Sequence, residues 1–148
     1  MKSDNKSRIH FFEEDIRFLL KDKRKLRNWF RTVIHKEGFE SGTLNFIFCS
    51  DKYLLDLNTS YLNHDTLTDI ITFNLSEIEH QISGDIFISI ERVNDNSKAL
   101  NIPFLQELNR ILIHGILHLL GYNDKSPSEI KEMRSKEDYY LSLFADLK

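Results

Sequence analysis

The segment that most constrains the fold is residues 104–120, where Leu108, Ile111, Leu112, Ile116, Leu119 and Leu120 leave a helix almost no polar side. A helix with one apolar stripe can lie on a surface, but one that is apolar nearly all round has to be enclosed. The spacing therefore predicts a buried central helix with the rest of the chain packed around it. This helix also carries His114 and His118, four residues apart and so on one face, one turn above each other. Burying an imidazole without a partner is costly, so a pair on so apolar a helix asks for something to share.

Gly121 follows His118 by three residues and Asp124 follows Gly121 by three. Glycine accepts the left-handed backbone that ends a helix, and the turn it permits can bring Asp124 back towards the imidazoles. Two neutral nitrogens and one carboxylate make a three-ligand set that leaves a zinc ion a further position, the pattern of a catalytic site. The predicted ligands are His114, His118 and Asp124, for one zinc per chain.

His-x-x-x-His-x-x-Gly-x-x-Asp resembles the pattern of some zinc endopeptidases. In those of the His-Glu-x-x-His type the general base directly follows the first histidine. Here that residue is Gly115, which has no side chain. Glu107 and Arg110 fall on roughly the His114 face, but seven residues at about 1.5 Å each put Glu107 about 10 Å along the axis. Peptidase activity is not expected.

The remaining segments read as a single domain over 1–148. Strands are expected at Ile9–Phe12, Leu44–Cys49, Asp69–Leu75 and Gly84–Ile90, where β-branched and aromatic residues cluster. Helices are expected from Asp22 to about Glu37, from Ser50-Asp51 towards Tyr61, over Glu91–Leu100, after Pro103, and from Ser126-Pro127 onward. Gly38 and Gly42 are expected to bracket a turn. The fold class is α+β, a mixed four-stranded sheet packed with about five helices, the metal-binding one central. The second strand, the helix after it and the third strand allow a parallel crossover, whereas the third and fourth strands are close enough for a hairpin.

Composition narrows the function classes. No apolar run reaches the roughly 20 residues that span a bilayer, and the polar N-terminus leads into no signal-peptide stretch, so the expectation is cytoplasmic with no membrane partner. The lone Cys49 excludes an intrachain disulfide and a cysteine zinc site, and its place in Phe46-Ile47-Phe48-Cys49 makes it a core residue. A net charge of −3 argues against a simple phosphate-driven binder of nucleic acid. Any RNA contact has to be local. Lys21, Arg24, Arg27 and Arg31 form a candidate row opposite the apolar face of the first helix, and Arg110 is a further candidate near the histidines.

His114-Gly115-Ile116-Leu117-His118-Leu119-Leu120-Gly121-Tyr122 resembles the signature of the YbeY family, metal-dependent endoribonucleases of bacterial rRNA maturation. Leu57-Asn58 with Tyr61 and Thr68–Phe73, then Gly84–Ser89, then Glu129–Glu137 with Met133 resemble the family's other blocks in order. The resemblance implies a zinc-dependent endoribonuclease that cuts single-stranded RNA in 16S rRNA 3′-end maturation and ribosome biogenesis or quality control. It implies single-stranded RNA or rRNA and the ribosome or its small subunit as partners, and His114 as an active-site residue. Two positions depart from the family's usual residues: Asp124 stands for a third histidine, and Leu62 for an arginine thought to act at the RNA-cleaving site. Arg110 and His64 are candidate substitutes for that cation. The alternatives are a weakly catalytic or non-catalytic ribosome- or RNA-binding module with a structural zinc, and a metallohydrolase on another substrate.

Overall fold

A computed structural model describes residues 8–62 and 68–147, Leu62 by its backbone alone. His64 lies outside the described residues. Four strands, β1 (Arg8–Glu13), β2 (Glu40–Cys49), β3 (Ile70–Asn74) and β4 (Gln81–Ser89), form one sheet in the order β1-β2-β4-β3. The first three in that order are parallel, and β3 runs antiparallel to β4. The sheet is mixed, as the sequence predicts, and β3–β4 is the expected hairpin.

The parallel crossover joins different strands from those expected. β4 lies between β2 and β3, so β2 and β3 do not pair, and β3 runs opposite to β2. The parallel partners of β2 are β1 on one side and β4 on the other, with Phe46 opposite Ile86 and Phe48 opposite Ile88. The turn before β2 is also tighter than expected. Gly38 takes it alone at φ 87°, and Gly42 already lies within β2, where a Cβ would meet the Ser83 Oγ at 2.1 Å.

Alternation along the strands divides the sheet into two faces. Ile9, Leu44, Phe46, Phe48, Ile82, Ile86 and Ile88 point into the main core. This face is covered by α1 (Lys23–Lys36), α4 (Phe104–Leu119) and α5 (Pro127–Asp146). Residues of opposite parity, including Cys49, Ile71, Phe73 and Phe87, meet α2 (Asp51–Leu62) through Leu54 and Leu57. Cys49 is fully buried, and burial followed by the charges of Asp15 and Asp51 pushes its thiol up to about 12, so it stays neutral. α3 (Ile90–Leu100) packs against α4. No helix among the described residues is long and apolar enough to cross a membrane.

Two local devices set the helices that carry the chemistry. α4 touches α1, α3, α5, β3 and β4, so it is enclosed as its composition demands. It crosses the sheet at Gly115, where a Cβ would lie 2.9 Å from Ile70 Cδ1 and 3.0 Å from Ile86 Cγ2. α5 starts at a capping box: the Ser126 side chain accepts from the Glu129 backbone N–H, and Glu129 accepts from that of Ser126. Its far end is tied to α1, since the fully buried Trp29 donates from Nε1 to the Tyr140 carbonyl at 2.8 Å.

Candidate metal centre

α4 ends in the motif its sequence suggests. Gly121 takes φ 109°, its N–H bonds the His118 carbonyl at 3.0 Å, and the Tyr122 N–H bonds the Leu117 carbonyl at 3.0 Å. This is a Schellman closure, which turns the chain back beside the last turn of the helix. Asp124 is thereby delivered to the histidine face.

Three donor atoms converge there. His114 Nε2 lies 3.0 Å from His118 Nε2, and Asp124 Oδ2 lies 3.3 Å from the first and 3.4 Å from the second. Donors arranged tetrahedrally about 2.0–2.1 Å from a zinc ion stand about 3.3–3.4 Å apart, so the triangle has the size a zinc site requires. Two nitrogen lone pairs and a carboxylate oxygen at these distances repel unless positive charge lies between them. The group could hold a metal ion. It also retains an opening, because the Asp124 side chain is 39% exposed while those of His114 and His118 are 18% and 25% exposed.

A residue from another helix fixes the first imidazole. Glu137 Oε2 on α5 lies 2.6 Å from His114 Nδ1, and its side chain is only 4% exposed. With that carboxylate ionised, the shared proton belongs to Nδ1, which leaves the Nε2 lone pair facing the triangle. Burial works towards a neutral His114, yet the hydrogen bond and charge of Glu137 outweigh it and raise its pKa above the ordinary imidazole value. His118 shifts the other way, lowered by burial and then by the charge of His114. Burial would raise Glu137, but His114 and Arg110 hold it below the usual carboxylate range. Arg110 donates from Nη1 to Glu137 Oε1 at 3.0 Å and sits 3.3 Å from Asp138 Oδ1.

Glu137 was not among the residues singled out from sequence. A signal for it was present. Met133, Glu137 and Tyr140 recur at helical spacing on the buried side of α5, and a carboxylate on such a stripe needs a partner.

The centre opens into a cavity of about 530 Å³ whose walls include His114, Asp124, Glu137, Arg110, Arg134 and Asp69. Asp69, another residue missed from sequence, accepts from Asn96 Nδ2 at 3.2 Å, and burial pushes its carboxyl above the usual range. Arg110 lies in this cavity as expected, but its guanidinium is engaged by carboxylates. None of the four residues of the predicted basic row lines the cavity. Lys21 precedes α1 instead of lying on it, and Arg27 is drawn to β1, donating to the Ile9 carbonyl at 2.9 Å with its guanidinium over the Phe11 ring. Arg24 is exposed on α1 and Arg31 half-buried.

Residues 9–145 match the family model described as endoribonuclease YbeY. The chain belongs to the YbeY family. It is 50% identical over 136 residues to the endoribonuclease YbeY of Amoebophilus asiaticus, covering 92% of both chains. It is also 50% identical over 135 residues to that of Cytophaga hutchinsonii, covering 91% of this chain and 94% of the relative. Among solved structures it is similar to TM1509 from Thermotoga maritima, with a TM-score of 0.63 and 29% identity over 92% of this chain and 88% of the other.

Proposed function

We propose that this chain is a zinc-dependent endoribonuclease that cuts single-stranded RNA, acting in rRNA processing, 16S 3′-end maturation included, and in ribosome biogenesis. The observation that carries this reading is the His114–His118–Asp124 triangle, two members of which line a cavity, in a chain of the YbeY family. The whole of 1–148 serves as one catalytic unit, in the cytoplasm, with the ribosome or its small subunit as partner. When bound, zinc supplies Lewis-acid activation of water and of a phosphoryl oxygen.

The chain's own residues do the rest. Glu137 holds the His114 proton on Nδ1 and keeps Nε2 free. Arg110 anchors Glu137 from behind. Arg134 is the cation best placed to take the RNA phosphate that the arginine replaced by Leu62 would serve in relatives: it lines the cavity, its side chain is 58% exposed, and Glu137 is 3.9 Å away. Gly115 supports an RNA over a peptide substrate, because Ile70 and Ile86 leave no room for the glutamate that peptidases carry at that position.

The test is cleavage of a single-stranded rRNA fragment by wild type, His114→Ala and Asp124→Ala, purified identically, with a peptide library in parallel. The expected result is RNA cleavage by wild type alone and no peptide hydrolysis. Equal cleavage by all three would remove the nuclease reading. Metal and RNA binding without cleavage would favour the binding module instead.

A further inference from the structure

Glu107 is as buried as Glu137 on the cavity wall and the less accounted for of the two. It is 3% exposed, and its Oε1 has no hydrogen-bond partner although it is buried. The nearest cation, Arg110 Nε, stands 3.7 Å from that oxygen, beyond hydrogen-bond reach, while the same guanidinium is bonded to Glu137. A buried acceptor left unmade costs stability, and such a group in a native fold calls for an explanation. Glu107 lines the same cavity as His114, seven residues before it on α4 and so two turns away on one face.

Three observations choose the occupant. The carboxylate of Glu107 itself repels a phosphate, so the group that meets it brings N–H donors. A second metal ion is disfavoured, since the described residues bring three donor atoms within reach of one ion only at His114, His118 and Asp124. The cavity lining also includes the apolar side chains of Leu100, Ile111, Ile130 and Met133, suited to the faces of a flat ring. Single-stranded RNA is read through bases splayed into pockets of this composition.

We infer that the cavity beside the metal centre is a nucleobase subsite, in which Glu107 accepts from the exocyclic amino group of an RNA base next to the phosphate being cut. The inference rests on the RNA-cleaving reading above. Glu107 lies about 10 Å along the α4 axis from His114, roughly the reach of one nucleotide from its phosphate to the far edge of its base. Asp69 and Asn96, already bonded to each other, stand on the same cavity wall. Cytosine, adenine and guanine carry an exocyclic amino group; uracil has a carbonyl in its place, whose oxygen repels the Glu107 carboxylate, and offers only its ring N3–H on that edge.

CMP and UMP differ at this edge alone, so they are the probes. Each is titrated into the full chain with zinc present, followed by NMR shifts, alongside Glu107→Gln. Oligo(C) and oligo(U) are titrated in the same way and assayed for cleavage. Wild type should bind CMP about tenfold or more tightly than UMP and carry the preference into the oligonucleotides. In Glu107→Gln, whose amide can also donate to a carbonyl, the two should come within about twofold. That variant should melt at or above the wild-type temperature, because it removes the charge of a buried, incompletely paired carboxylate. Equal binding of CMP and UMP, no binding of either, a preference kept by Glu107→Gln, a preference absent from RNA, or a clear fall in melting temperature would each overturn the subsite. Cleavage without base preference would leave the nuclease reading standing and the subsite refuted. Base preference without cleavage would do the reverse.

Discussion

His114 can serve a metal only through Nε2, because Nδ1 is given to Glu137 at 2.6 Å. Removing the carboxylate's charge frees the ring to take the other tautomer and weakens the lone pair. Glu137→Gln should therefore weaken zinc about 10–100-fold in a chelator competition, the range found when such outer partners are lost. Affinity unchanged in that variant would make the contact incidental. Gly115 is limited by space: a methyl group there meets Ile70 and Ile86 at 2.9 and 3.0 Å. Gly115→Ala should cost about 1–3 kcal/mol in denaturant unfolding, as overpacking does, whereas a neutral result would show that the helix can lift from the sheet. The histidines, the terminating glycine and Asp124 were all legible in the sequence, because they lie within one turn of helix and one turn of chain. Glu137 was not, since it meets His114 across 23 positions and a fold that brings α5 over α4.

Between elements, the join behind the metal centre is ionic. Glu37, at the end of α1, accepts from the hydroxyls of Tyr122 and Tyr140 and from Lys136, so one carboxylate ties α1 to α5 and to the turn that delivers Asp124. Burial would raise its pKa, but the bonds from Tyr140, Tyr122 and Lys136 outweigh this and hold it below the ordinary value of 4.5. A lowered folded-state pKa means stability that is present above the unfolded value and lost as pH falls through the folded one. Thermal melts of wild type should thus fall on acidification below about pH 4.5. In Glu37→Gln this component should be missing, at a cost of about 1–3 kcal/mol near neutrality. Identical acid limbs in the two proteins would assign the loss to other carboxylates. Element types were readable from spacing, but two features were not. β2 begins at Glu40 because its polar first residues pair with β4, a partner 40 positions away that no local pattern announces. Strand order was hidden for the same reason: alternation in β3 marks its faces and leaves its neighbour open.

At the scale of the molecule, an acidic chain has to meet an acidic polymer. In the first-helix row, Arg27 is committed to β1 and Lys21 precedes the helix. Arg134 lies at the cavity and largely exposed. Arg134→Gln should raise KM for single-stranded RNA and lower the salt dependence of binding by about one phosphate contact, with zinc affinity retained. An unchanged salt slope would move the phosphate contact elsewhere.

On the proposed function, the three donors on α4 and its following turn hold the ion that cuts RNA. The direct measurement is cleavage of single-stranded RNA by chelator-stripped protein as zinc is returned stepwise, with bound metal quantified at each point. Activity should rise in proportion to bound zinc and level off at one ion per chain, and His118→Ala should neither retain zinc nor regain activity. Full cleavage by the stripped protein, or recovery by His118→Ala equal to wild type, would contradict the account.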